Sequence, residues 1–152
     1  MNETGDEHWT SLGGLVDSSR VTFCVYSDTL DPEELTRDLG IAPTHAHRAG
    51  DTRESERAPG LYNSGAWILD LGDIEKRDPE DAIWDLLNWL PSDPEFWKHL
   101  MTSYDVKVGL SLVMKDWNRG FTLSPELQHR LGTLGLRLDV ELWYMPSPGE
   151  IV

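Results

Sequence analysis

The sequence predicts an α+β domain, a two-layer sandwich in which helices cover one face of an antiparallel or mixed β-sheet. Three observations carry that expectation. Apolar and polar residues alternate along 20–26, 106–115 and 136–144, the period of strands with one wet face. Four stretches open with Asp or Ser, then Pro, then Glu, which is the grammar of a helix start. The elements then follow as β-α-(β)-β-α-α-β-α-β, which argues against a doubly wound parallel sheet. At 152 residues the chain fits one domain, and a chain of this length buries roughly 68–70% of its unfolded surface. Residues 1–19 read as a leader, 20–145 as the domain and 146–152 as a tail.

The first strand is "RVTFCVY", with Val21, Phe23 and Val25 on one face. "LDPEELTRDLG" follows as a helix with both ends written in. Asp31 caps it, Pro32 opens it, Glu33 and Glu34 suit its positive start, and Gly40 ends it. Residues 43–65 are rich in turn formers and charge, with room for a short strand near 44–48. "AWILDL" is the next strand, placing Trp67, Leu69 and Leu71 together. "RDPEDAIWDLLNWLP" and "SDPEFWKHLMTSY" are helices capped by Asp78 and Asp93. "VKVGLSLVMK" is a strand, and "LSPELQHRLGTLG" a helix capped by Ser124 and closed by Gly135. "LRLDVELWY" is the last strand, with Leu136, Leu138, Val140 and Leu142 expected to face inward. The paired "LDPEEL…LG" and "LSPELQ…LG" segments echo one another, so a ferredoxin-like sheet with a duplicated β-α-β unit is one form the sandwich could take.

This order of punctuation marks resembles a bacterial family, domain of unknown function 4279. The resemblance rests on "DPEELTRDLGIAPT", the following "AGD", "SGAWIL" and the closing "LSPELQHRLGTLGLRLDVELWY", spanning roughly 20–144. It implies a fold. It brings no activity, substrate or catalytic set. Some small acidic bacterial domains of this kind act as immunity partners of toxins, but fold alone does not fix function.

The net charge is −14, from 27 acids against 13 Lys and Arg. Phosphate-binding proteins need clustered Lys and Arg, so a nucleic-acid role is disfavoured. An acidic surface instead favours solubility and basic partners. No apolar run approaches the ~20 residues of a membrane span. The polar, acidic start lacks the apolar core of an export signal, so the expected compartment is the cytoplasm. The single cysteine, Cys24, lies in an apolar run and reads as a buried structural thiol.

The densest candidate site is "THAHRAGDTRESER" at 44–57. On a strand, His45 and His47 would point to one face, where two imidazoles could approach one metal ion. A metal site needs further ligands, and none is obliged locally. Arg48, Arg53 and Arg57 could form an anion pocket, but Asp51, Glu54 and Glu56 interleave with them and local ion pairs are the simpler account. Of the seven tryptophans, Trp143 falls outside the inward row of its strand, and Trp117 lies in a turn; both are candidate exposed interface anchors. No nucleophile elbow, P-loop, G-x-G-x-x-G or H-E-x-x-H is present, so neither catalytic residues nor a cofactor are assigned.

The expected function is therefore a non-catalytic, acidic protein-interaction module. Its partner would be a basic protein, with a toxin or a second copy of the chain among the candidates. The alternative is an enzyme or a small-ligand or metal-binding protein that uses 44–67, with His45, His47, Arg48 and Trp67 around a pocket.

Overall fold

The computed structural model describes residues 13–149. In chain order the elements are β1 (Ser18–Ser27), α1 (Pro32–Leu39), β2 (His45–His47), β3 (Thr52–Arg53), β4 (Gly60–Leu61), β5 (Gly65–Glu75), α2 (Pro79–Trp89), α3 (Pro94–Leu100), β6 (Asp105–Met114), α4 (Pro125–Leu134) and β7 (Arg137–Tyr144). Five strands form one mixed sheet in the order β2-β5-β1-β6-β7, and β3 and β4 form a separate two-stranded ribbon. The architecture is α+β.

The helix starts are where the capping residues place them. Asp31 accepts from the backbone N–H groups of Glu33 and Glu34, Asp78 from Glu80, Asp93 from Glu95 and Ser124 from Leu127. Gly40 and Gly135 end α1 and α4 at φ 73° and 70°, a left-handed conformation that costs glycine least.

β2, β5, β1 and β6 pair antiparallel in that order. β5 lies between β1 and β2, and β1 lies between β5 and β6. Two split β-α-β units are thus interleaved, which is the ferredoxin-like arrangement. The second unit carries two helices, α2 and α3. α4 and β7 add a further unit in which β7 runs parallel to β6 beside it. The two echoing sequence segments consequently differ in topology. The first joins strands separated by β5, and the second joins direct neighbours.

One core lies between this sheet and the helices. Val21, Phe23 and Val25 from β1, Trp67 and Leu69 from β5, and Val106, Val108, Leu110 and Leu112 from β6 pack against Leu35, Ile83, Leu86, Trp97 and Leu127. Phe23 meets both Trp67 and Trp97 edge-on, with centroids 5.9 and 5.5 Å away at 75°, a favoured aromatic geometry. Each indole N–H is satisfied, Trp67 by Thr36 Oγ1 at 2.9 Å and Trp97 by the Pro91 carbonyl at 2.7 Å. The opposite sheet face carries Thr22, Tyr26, Lys107, Ser111 and Asp139 and stays partly open.

The folded unit begins earlier than in the sequence reading. Residues 1–12 of the expected leader, and 150–152 of the expected tail, lie outside the described residues. Residues 13–19, however, belong to the folded unit: β1 starts at Ser18, and Val16, Asp17 and Ser19 are buried. Asp17 is a hub. Its carboxylate accepts from Lys76 Nζ at 3.0 Å, the Lys115 N–H at 2.7 Å and Arg119 Nε at 3.2 Å, joining the start of β1 to the segments after β5 and β6. These donors, the Lys115 amide foremost, hold its pKa down at about 2 against burial. The inward row of β7 also fades along its length. Leu136 is buried and Leu138 half-buried, whereas Val140 and Leu142 are exposed. They sit on the helix side of the sheet, but β7 is its edge and the helix layer leaves their half of the strand uncovered.

Candidate functional site

The 44–57 segment builds its site through β2 and the β3–β4 ribbon. β2 pairs antiparallel with β5, setting His45 opposite Ile68, Ala46 opposite Trp67 and His47 opposite Ala66. Because side chains alternate, Ala46 and Trp67 face the core while His45 and His47 share the open face. Gly50, at φ 88°, turns the chain after β2. Two backbone bonds then tie the ribbon together below that turn, from Gly50 N to the Tyr62 carbonyl at 2.8 Å and from Tyr62 N to the Asp51 carbonyl at 2.9 Å. The segment is thus an ordered hairpin docked on the sheet edge.

His45 and His47 meet. Nε2 of His45 and Nδ1 of His47 are 3.0 Å apart, so one ring donates to the other. His47 stacks on Tyr62 with centroids 3.4 Å apart and planes at 13°. The Arg53 guanidinium lies 5.9 Å from the centre of the Tyr62 ring. Burial lowers the His47 pKa, and the neighbouring His45 lowers it further. His45, His47, Asp51, Thr52, Glu54 and Tyr62 border an open cleft of about 300 Å³.

The other sequence candidates lie apart from this cleft. Arg48 turns to the start of α1, where it bonds Glu33 and reaches Asp31 Oδ1 at 3.1 Å. Its backbone N–H donates to Asp51 Oδ2 at 2.8 Å. Arg48 therefore pairs with two acids of the α1 start, and its ion pairs reach out of the loop to residues 15 and 17 positions away. Arg53 spends its Nε on the Ala58 carbonyl at 2.6 Å. Trp67 is fully buried on the other face. Of His45, His47, Arg48 and Trp67, the cleft gathers the two histidines. Among the described residues, no three His, Cys, Asp or Glu side chains come together as a metal-holding group. Tyr62 is the functional-looking residue that sequence reasoning missed. It sits in "PGLYNSG", which has no period, and only the return of the ribbon brings it to His47.

A second polar feature lies on the open sheet face. Thr22, Cys24, Tyr26, Lys107, Ser111 and Asp139 line a dent of about 170 Å³. Cys24 forms part of its floor and is nearly inaccessible. Burial, followed by the Cys24 hydrogen bond, pushes the Tyr26 phenol up to about 12. Lys107 lies 5.9 Å from the Tyr26 ring centre and 3.4 Å from Asp139. Three cations on this face are paired, Arg20 with Asp70, Lys107 with Asp139, and Arg137 with Asp105 and Asp139.

The α1 end carries Asp28, Asp31, Glu33, Glu34 and Asp38, with Arg37 as the cation of the helix itself. Tyr104 stands among them: burial raises its pKa first, and the carboxylates of Glu34, Asp38 and Asp31 raise it further. Arg48 offsets part of this charge through Asp31 and Glu33. Of the exposed aromatics, Trp117 and Trp143 both reach solvent, as does Trp89 on α2.

Fold and surface together define a ferredoxin-like α+β sandwich extended by a parallel edge strand, with an ordered His–His–Tyr hairpin on one edge and an acidic end at α1. The chain belongs to the DUF4279 family, a domain of unknown function, whose sequence profile matches residues 17–145. No curated protein and no solved structure matches it. No helix among the described residues is long and apolar enough to cross a membrane.

Proposed function

We propose that this protein is a non-catalytic interaction module that engages a basic protein through the acidic end around α1. The observation that supports this reading is the gathering of acids at the α1 end. Arg20, Lys107 and Arg137 each pair with acids on the open sheet face, while Glu34, Asp38 and Asp31 crowd Tyr104 at the α1 end, where Arg37 and Arg48 are the cations. Such a field raises the rate at which a positively charged partner arrives. A cytoplasmic, immunity-like or regulatory role in a bacterium, with a basic toxin as the partner, fits that chemistry.

The test compares affinity capture from the native host by the wild type and by a Glu33→Gln/Glu34→Gln/Asp38→Asn variant, at low and high salt. The expected result is a basic protein retained by the wild type at low salt, released by high salt and lost with the variant. Equal capture by both proteins, insensitive to salt, would overturn the reading.

A second reading has one observation in its favour, the cleft beside His45, His47 and Tyr62. Stacked aromatic rings and acceptor oxygens would suit a small cationic ligand there. Loss of ligand binding in a Tyr62→Ala variant, with the α1 variant unaffected, would favour it.

A further inference from the structure

We propose that β7 is a dimerisation strand, pairing antiparallel with the β7 of a second copy about a two-fold axis at Leu142. The inference goes beyond the α1 reading and does not depend on it. Sheet edges expose unpaired backbone groups, and proteins usually blunt them with short strands, bulges, Pro or charge. The β2 edge is blunted, being three residues long. β7 is eight residues long, pairs with β6 in continuous register, and has no Pro before Pro146. Its charges stop at Glu141, and Leu142, Trp143, Tyr144 and Met145 follow.

The free edge can be assigned residue by residue. Met145 donates its N–H to the Met114 carbonyl on β6 at 2.8 Å. In a parallel ladder alternate residues turn their backbone groups the same way, so Trp143, Glu141 and Asp139 also face β6. Leu138, Val140, Leu142 and Tyr144 then turn their N–H and C=O groups outward, where no strand pairs with β7 among the described residues.

Surface and charge select a second copy as the occupant. Val140, Leu142, Trp143, Tyr144 and Met145 are 45, 63, 55, 57 and 59% exposed. Val140, Leu142 and Tyr144 lie on the helix side of the strand and Trp143 and Met145 on the other, together exposing on the order of 500 Å² along the edge, against the ~800 Å² per partner of a stable interface. A two-fold axis centred on Val140 would set Asp139 against the partner's Glu141 twice. Centred on Glu141, it would set that carboxylate against its own mate. Centred on Leu142, it sets Glu141 against the partner's Trp143, Asp139 against the partner's Met145, and Val140 against the partner's Tyr144. Like charges directly opposite are thereby avoided and apolar pairs are formed. Pro146, which lacks an N–H, ends the ladder. The product is a continuous sheet of ten strands, five from each copy.

Analytical ultracentrifugation and cysteine cross-linking test this together. Wild type is expected to sediment at twice 17.3 kDa at micromolar concentration. Leu142→Lys, at an exposed position, should raise the dimer dissociation constant at least tenfold, with an unchanged circular-dichroism spectrum. Leu142→Cys should cross-link to its mate under mild oxidation, because a hydrogen-bonded antiparallel pair sets the two Cα atoms ~5.5 Å apart, within disulfide reach. Val140→Cys, opposite the partner's Tyr144, should not. A monomeric wild type, a dimer indifferent to Leu142→Lys, or cross-linking by Val140→Cys as efficient as by Leu142→Cys would each overturn the proposal.

Discussion

Replacing Asp17 by Asn removes one charge from a buried carboxylate that three donors converge on, Lys115 N–H at 2.7 Å, Lys76 Nζ at 3.0 Å and Arg119 Nε at 3.2 Å. The amide oxygen can keep one of these bonds, but the guanidinium of Arg119, itself mostly buried, loses its nearest carboxylate. The pKa gives the size of the charge contribution. A fall from 3.8 to about 2 corresponds, at about 1.4 kcal/mol per unit, to about 2.5 kcal/mol at pH 7. The sign follows from the depressed value. The unfolded carboxyl takes up its proton first, so the stabilisation is complete above the ordinary value of 3.8 and is lost as pH falls towards 2. Linkage leaves about half of it at pH 3. Urea unfolding of wild type and Asp17→Asn at pH 7 and pH 3 measures both quantities. The expected cost is about 2–3 kcal/mol at pH 7 and distinctly less at pH 3. A cost below about 1 kcal/mol at pH 7, or one that is the same at both pH values, would refute the assignment of Asp17 as an ionised hub.

Three further outcomes are expected. Gly109→Ala places a Cβ 2.5 Å from Thr22 Oγ1, so it should destabilise by about 1–3 kcal/mol in urea unfolding, and Thr22→Ala should recover most of that loss; a double variant as unstable as the single one would contradict the clash. His47→Phe keeps the stack on Tyr62 while removing a ring whose folded pKa is lowered. Neutral His47 stabilises above its unfolded value near 6.5, so wild type should lose stability relative to His47→Phe as pH drops below that value, and a difference that stays flat from pH 7 to pH 5 would count against the shift. In zinc titration, wild type and His45→Ala/His47→Ala should bind equally weakly, since a third ligand does not join the pair among the described residues; tighter binding by wild type would reopen a metal role.

Legibility in the sequence followed the range of the interactions. Helix starts at Asp31, Asp78, Asp93 and Ser124 were readable because a cap and its donors lie within three residues of each other. The wet and dry faces of β1 and β6 were readable from a period of two. Asp17 was not, because its side-chain partners lie 59, 98 and 102 positions away and nothing local marks the residue. The exposure of Val140 and Leu142 was hidden for a similar reason: alternation tells which side a residue takes, not how far the helix layer extends over it. His45 and His47 were readable as a same-face pair. Their separation from Trp67 depends on the register of β2 against β5, and the withdrawal of Arg48 depends on the approach of the α1 start.

The most direct test of the interaction role is the association rate of the captured basic partner with this protein, followed from about 0.03 to about 0.5 M salt. Steering by the α1 carboxylates predicts a steep fall in rate with added salt for the wild type. The Glu33→Gln/Glu34→Gln/Asp38→Asn variant should start slower and show a flatter dependence. A rate that ignores salt and is the same for both proteins would contradict it.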